Sequence, residues 1–442
     1  MTAWTEQTTM IRPARPADLV VRCGPTDTML AGVPVGLAMF FRGTLDIGRL
    51  ADGLAVALTH VPVFAGRMRR GEDALLDIEC GAGGVPLSVG DVDEPLGDAI
   101  GRVTIARSGY VDQVSDFEPL MRVKVSRLSD GGTVLGLSWH HAVGDMLSFV
   151  LLLRAWSAAV DGGPLPDTRV VLDRDAYLDA VLPEQDCGRP GFRLPDAAES
   201  EELNREVGNA LAANRTVHGY FGAAEVARMR QKFVADAGRP LSANDVLCAH
   251  VTSTIRQLDN DAEDRLLTMP VNLRRPLGLA DGAVGNLLGD VQVRCPAGGS
   301  PAALAARIRE NVSGFADRHL NLRTNRAFLA AIGADRLPDC VPLGFDPRRR
   351  TMTITDWTRF GGYDITFQGH RPALVTPVAN PPLPWLGWFI EGFDGTGVLA
   401  TMVLPAKLAA RLRGAEGRAA VHRYAEPGDV RPALADTVRK LV

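Results

Sequence analysis

Residues 121–160 constrain the fold most. Met121, Val123 and Val125 alternate with Arg122, Lys124 and Ser126, the two-residue period of a half-buried strand. Asp130-Gly131-Gly132 is a turn signal, and Thr133 to Trp139 is rich in strand formers. Together they predict a hairpin that ends in Ser138-Trp139-His140-His141-Ala142-Val143-Gly144-Asp145. Ser148 to Val160 is apolar on most faces and predicts a buried helix. Strand ends are where side chains emerge into clefts. This order therefore brings two adjacent histidines to a strand end, with an aspartate four positions after the second.

The rest of the chain must be organised around that unit. At 442 residues it exceeds one ordinary core, so two domains, or one domain doubled, are expected. Val35 to Phe41 predicts a strand. Asp46 to His60 predicts a helix with Ile47, Leu50, Leu54 and Leu58 on one face, ended by Pro62. From Gln185 to Arg215 the composition turns polar. This stretch predicts a crossover, helical around Glu201 to Ala213, between an N-terminal half over 1–184 and a C-terminal half over 216–442. In the second half, Ser242 to Ile255 and the stripe Leu304, Ile308, Val312, Phe315 predict helices. Leu267–Asn272, Thr351–Thr355, Trp388–Phe393 and Val398–Val403 predict strands, and Leu404–Leu412 a last amphipathic helix. Strands and helices mix in both halves without a βαβ rhythm, so the expected architecture is a pair of α/β sandwich halves with mixed sheets.

A net charge of −4 gives no broad basic field, which argues against nucleic acid as a partner. Cys23, Cys80, Cys187, Cys248, Cys295 and Cys340 stand singly, with no C-x-x-C pair, as suits reduced thiols in the cytosol. Met1 to Arg15 has no signal-peptide apolar run, and no stretch reaches the ~20 apolar residues that span a bilayer. The expectation is a cytoplasmic protein without membrane contact. Ala, Gly, Arg and Asp outweigh Lys, a compositional hint of a GC-rich bacterial source.

Three readings of the histidine motif stay open at this level. Neighbouring strand residues point to opposite faces, so His140 and His141 cannot share one metal ion without backbone distortion, and zinc wants three or four converging ligands. An acid–base reading needs one histidine in a cleft with its ring fixed. His141 fits it, because a histidine side chain, with a reference pKa of about 6.5, is the residue type suited to moving protons near neutral pH. Asp145 can then orient the ring as in a Ser-His-Asp triad, or turn away and pair with an arginine. The third reading is a structural strand end.

The surroundings decide among these by resemblance. The HHxxxD stretch, with its upstream strand, Gly-Gly turn and downstream apolar helix, resembles the BAHD acyltransferases, relatives of chloramphenicol acetyltransferase and of peptide-synthetase condensation domains. Further segments match in family order. They are Pro62-Val63-Phe64-Ala65-Gly66-Arg67-Met68, Gly84-Val85-Pro86-Leu87, Val171-Leu172-Asp173-Arg174, and Pro270-Val271-Asn272-Leu273-Arg274 with Gly285-Asn286. Thr355-Asp356-Trp357 follows. Two departures stand out. Met146 replaces the usual glycine, and the family's D-F-G-W-G reads Thr366-Phe367-Gln368-Gly369-His370, followed by Arg371-Pro372.

The resemblance implies two chloramphenicol-acetyltransferase-like domains joined by a long crossover loop. It implies transfer of an acyl group from an acyl-CoA co-substrate to a hydroxyl or amine of a small specialised metabolite. His141 is then the general base, with no covalent intermediate, no permanent cofactor and no metal. It makes Asp145 the partner of Arg274, Trp357 the oxyanion donor, Thr355 an acceptor-orienting residue and Asn286 a structural support. Arg359 and Arg371 become candidates for the coenzyme phosphates, which arginine suits. A monomer is implied. An acyl carrier protein as donor, and a non-catalytic binding protein, are the alternatives.

Overall fold

The computed structural model describes residues 7–71, 75–81, 83–103, 109–115, 117–349, 351–378 and 385–429. Two six-stranded sheets dominate it. The first runs Gln7–Ile11, Val85–Val92, Met121–Leu128, Thr133–His140, Pro34–Phe41, Pro372–Pro377. The second runs Asn214–Phe221, Val398–Pro405, Leu386–Glu391, Met352–Asp356, Arg265–Asn272, Leu288–Cys295. Both are mixed, with one parallel pair in the first and two in the second. This is the α/β, chloramphenicol-acetyltransferase-like architecture expected from the sequence.

The hairpin forms as its pattern demands. Met121–Leu128 and Thr133–His140 pair antiparallel around Gly131, whose φ of +82° only glycine adopts at little cost. The expected half-burial does not hold. Every residue of Thr133–His140 is buried, and on the partner strand even Lys124 is, its ammonium held 3.0 Å from Asp112. At Lys124 the alternation records an interior ion pair instead of a wet face. The helix Met146–Asp161 follows, with Asp145 as N-cap accepting from the Ser148 amide at 2.8 Å. It packs on Ile47–His60, and Trp139 stacks on Phe149 with centroids 3.7 Å apart.

Two features tie the halves together. The strand Pro372–Pro377, late in the chain, completes the first sheet by pairing with Pro34–Phe41, and residues 1–184 alone do not supply it. The first core accordingly draws in Trp357, Phe367, Leu374, Ile390 and Phe393. The crossover is less a loop than a helix, Ala197–Ala213, leading straight into the strand from Asn214. Arg348 pairs with Glu199 and Glu202 on that helix and so serves the crossover, while Arg349 lies 3.9 Å from Asp346. Among the described residues no helix is long and apolar enough to cross a membrane.

Candidate active site

The two histidines part company at the strand end. His140 is buried, and its Nδ1 lies 2.8 Å from the Ala31 carbonyl. His141 is half-buried, and its Nδ1 lies 3.2 Å from Asn286 Oδ1. Both Asn286 Nδ2 hydrogens are committed, to Asp27 Oδ1 at 2.8 Å and the His141 carbonyl at 2.7 Å. That pattern assigns the amide orientation and makes Oδ1 the atom facing the ring. A carbonyl oxygen only accepts, so the neutral ring carries its proton on Nδ1. The lone pair is left on Nε2, for which no partner occurs among the described residues.

Asp27 is itself held. Its Oδ1 also accepts from Arg174 Nη1 at 2.7 Å and its Oδ2 from the Gly24 amide at 2.9 Å. Arg174 donates in addition to the Ala142 and Val143 carbonyls, the two residues after His141. Burial opposes the charge on Arg174, but Asp27 foremost outweighs it and holds the guanidinium pKa above its ordinary value. One buried network therefore fixes both the loop after His141 and the ring itself. Sequence reasoning named Arg174 only as part of a motif and missed Asp27, because an acid in the first turn of a short helix reads as an ordinary helix start.

Asp145 does not touch His141. Its carboxylate accepts from Arg274 at 2.8 and 3.2 Å, from the Ser148 amide and hydroxyl at 2.8 and 2.9 Å, and from the Leu287 amide at 3.1 Å. Nothing remains for an imidazole. Of the two roles open from sequence, the geometry is that of the arginine partner. Arg274, fully buried, also donates to the Ala283 carbonyl and to Asn272 Oδ1. The pair crosses from the first half to the second and joins the loop around His141 to the segment carrying Asn286.

Thr355 and Trp357 lie at and just past the end of Met352–Asp356. Thr355 sits opposite Trp388, and no hydrogen bond to its hydroxyl occurs among the described residues. Trp357 is nearly buried, its amide bonded to the Phe389 carbonyl at 2.7 Å and its ring 6.4 Å from that of Trp388. Arg359 is exposed, while Arg371 Nε donates to the Tyr363 carbonyl at 2.8 Å. The altered segment has its own local work. Gln368 bonds both backbone groups of Asp46, and Asp161 accepts from Thr366 and the Gln368 amide. Phe367 packs edge-on to Phe41 and Trp156.

No group of three or more His, Cys, Asp or Glu side chains able to hold a metal ion occurs among the described residues. Burial pushes the Cys23 thiol to about 12 and those of Cys80 and Cys295 to about 11, which makes them poor nucleophiles.

Comparison with known proteins agrees with the motifs. The model of the Transferase family matches residues 40–410. A hydroxycinnamoyl-CoA:5-hydroxyanthranilate N-hydroxycinnamoyltransferase of Avena sativa is 25% identical over 417 residues, 85% of this chain and 91% of that protein. Piperamide synthase of Piper nigrum is 24% identical over 225 residues, so that the chain spans about half (47%) of its length. The crystal structure of F. sporotrichioides TRI101 complexed with coenzyme A and T-2 superposes with a TM-score of 0.72 at 15% identity, covering 90% of this chain and 97% of that one. With its sheets, its HHxxxD loop and these matches in hand, the chain belongs to the Transferase family, the BAHD-type acyltransferases.

Proposed function

We propose that the protein moves an acyl group from an acyl-CoA thioester to a hydroxyl or amine of a small-molecule acceptor, with His141 as general base. The observation that carries this reading is the Asn286 amide on His141 Nδ1, which leaves Nε2 as the basic nitrogen. Nε2 takes the acceptor's proton as its oxygen or nitrogen attacks the thioester carbonyl. The tetrahedral adduct then collapses, the carbon–sulfur bond breaks, and the CoA thiolate recovers the proton from the imidazolium. No covalent enzyme intermediate is needed. Base assistance of this kind is worth roughly 10²–10⁴ in rate.

The other residues serve this step. Asp27 and Arg174 act as positioning residues through Asn286, and the Asp145–Arg274 pair holds the loop. Trp357 supplies the indole N–H to the oxyanion, and Thr355 orients the acceptor. Arg359, exposed and close in sequence to Trp357, is offered to the coenzyme phosphates, and the exposed Arg371 takes the same role. The CoA donor is supported by the hydroxycinnamoyl-CoA enzyme among the relatives and by the coenzyme in the TRI101 complex.

The test is calorimetric titration with CoA, acetyl-CoA and a bulkier acyl-CoA, then acyl-CoA hydrolysis by wild type and His141→Ala. Micromolar binding and slow hydrolysis that disappears in His141→Ala are expected. A folded protein that binds none of them overturns the CoA assignment.

A further inference from the structure

From Asn286 the chain enters the strand Leu288–Cys295, and its side chains alternate between two faces. Leu287, Val291, Val293 and Cys295 are buried in the second core. Asn286, Leu288, Asp290 and Gln292 take the other face, the one on which Asn286 meets His141. Strand register extends that face sideways. Asp290 lies opposite Pro270. Thr268 lies opposite Thr353 in the next, parallel strand, so Pro270 falls beside Thr355, and Thr355 is paired with Trp388. One row across the sheet thus carries Asp290, Pro270, Thr355 and Trp388.

The row beyond it is closed. Thr353 Oγ1 donates to the Gly344 carbonyl, and a Cβ on Gly344 would lie 2.9 Å from Thr268 Cγ2. The Leu343–Phe345 turn therefore seals Thr268 and Thr353, and the Asp290 row is the last open one before this wall. Asp290 itself is exposed, and no hydrogen bond or ion pair engages its carboxylate among the described residues. Yet desolvation alone pushes its carboxyl up to about 6. The Asp290 row is therefore open to solvent on one side and walled on the other by the Leu343–Phe345 turn.

We propose that Asp290 is a specificity-determining residue of the acceptor subsite, and that it receives the ammonium group of an amine-bearing acceptor. The proposal rests on the acyltransferase reading above. Two strand spacings separate Asp290 from Thr355, roughly 10 Å at ~4.8 Å per strand, which sets the span between that ammonium and the group acylated. Above its pKa the carboxylate offers a charge-assisted hydrogen bond that a neutral acceptor cannot use.

The experiment compares terminal aminooctanol with octanol, which differ only in the distal ammonium, by calorimetric titration of wild type and Asp290→Asn at pH 8. The expected result is about tenfold tighter binding of the amino alcohol to wild type, the size of one charge-assisted bond. That preference collapses to within about twofold in Asp290→Asn, and in wild type at pH 5, where the carboxyl is protonated. Equal affinities in wild type, no binding of either alcohol, or a preference that survives Asp290→Asn overturns the proposal. Acetyl-CoA hydrolysis, expected in wild type and lost in His141→Ala, reports separately on the acyltransferase reading.

Discussion

A single amide decides what His141 can do. Had Asp145 reached the ring, the site would be a Ser-His-Asp-like relay, but its oxygens are taken by Arg274, Ser148 and Leu287. Asn286, neutral and itself fixed by Asp27, sets the tautomer without adding charge to the imidazole. The two side chains should then fail differently. Asn286→Ala is expected to lower kcat about 100-fold, within the range of lost base catalysis, while the KM for acyl-CoA stays within a few-fold. Steady-state kinetics on the folded variant check this. Asp145→Ala leaves the guanidinium of Arg274 buried and unpaired, so a stability loss of ~3–5 kcal/mol is expected in denaturant unfolding. A fully stable but inactive Asp145→Ala would instead favour a direct catalytic role. Much of this was legible in the sequence, since His141, Asp145, Arg274 and Asn286 all fall in motifs. Asp27 was not, because its importance lies in partners far along the chain.

At the level of elements, the end of Leu386–Glu391 holds a carboxylate under stress. Burial, with Asp364 nearby, pushes Glu391 up to about 7, and its Oε2 is buried without a hydrogen bond. Its folded pKa lies above the ordinary 4.5, so the stability it contributes is complete below pH 4.5 and lost as pH rises through 7. Glu391→Gln should therefore stabilise the protein at pH 8, by about 1 kcal/mol after allowing for its partial exposure, and have little effect at pH 4. Chemical denaturation at the two pH values measures the difference. The altered segment at 366–370 is also an element-scale matter. Phe367 keeps its place between Phe41 and Trp156, whereas Gln368 and Asp161 provide a latch of their own. The sequence showed the departure, and only the contacts show what it does.

For the molecule as a whole, the strand Pro372–Pro377 and the buried ion pair Arg274–Asp145 make the first half depend on the second. Residues 1–195 made alone lack a sheet strand and the partner of Asp145. They are expected to lose cooperative unfolding, while the full chain unfolds in one transition by circular dichroism and calorimetry alike. The sequence by itself determined the local elements, the mixed α/β class and the placing of HHxxxD at a strand end, because periodicity, turn residues and caps act over a few positions. Tertiary structure alone decided that a strand from beyond residue 370 completes the first sheet. It also decided that Asn286 and not Asp145 orients His141, and that Asp290 shares a face with Thr355. Each of these is a juxtaposition of residues distant in the chain, set by strand register and by which buried charge finds which partner, and no local pattern encodes either.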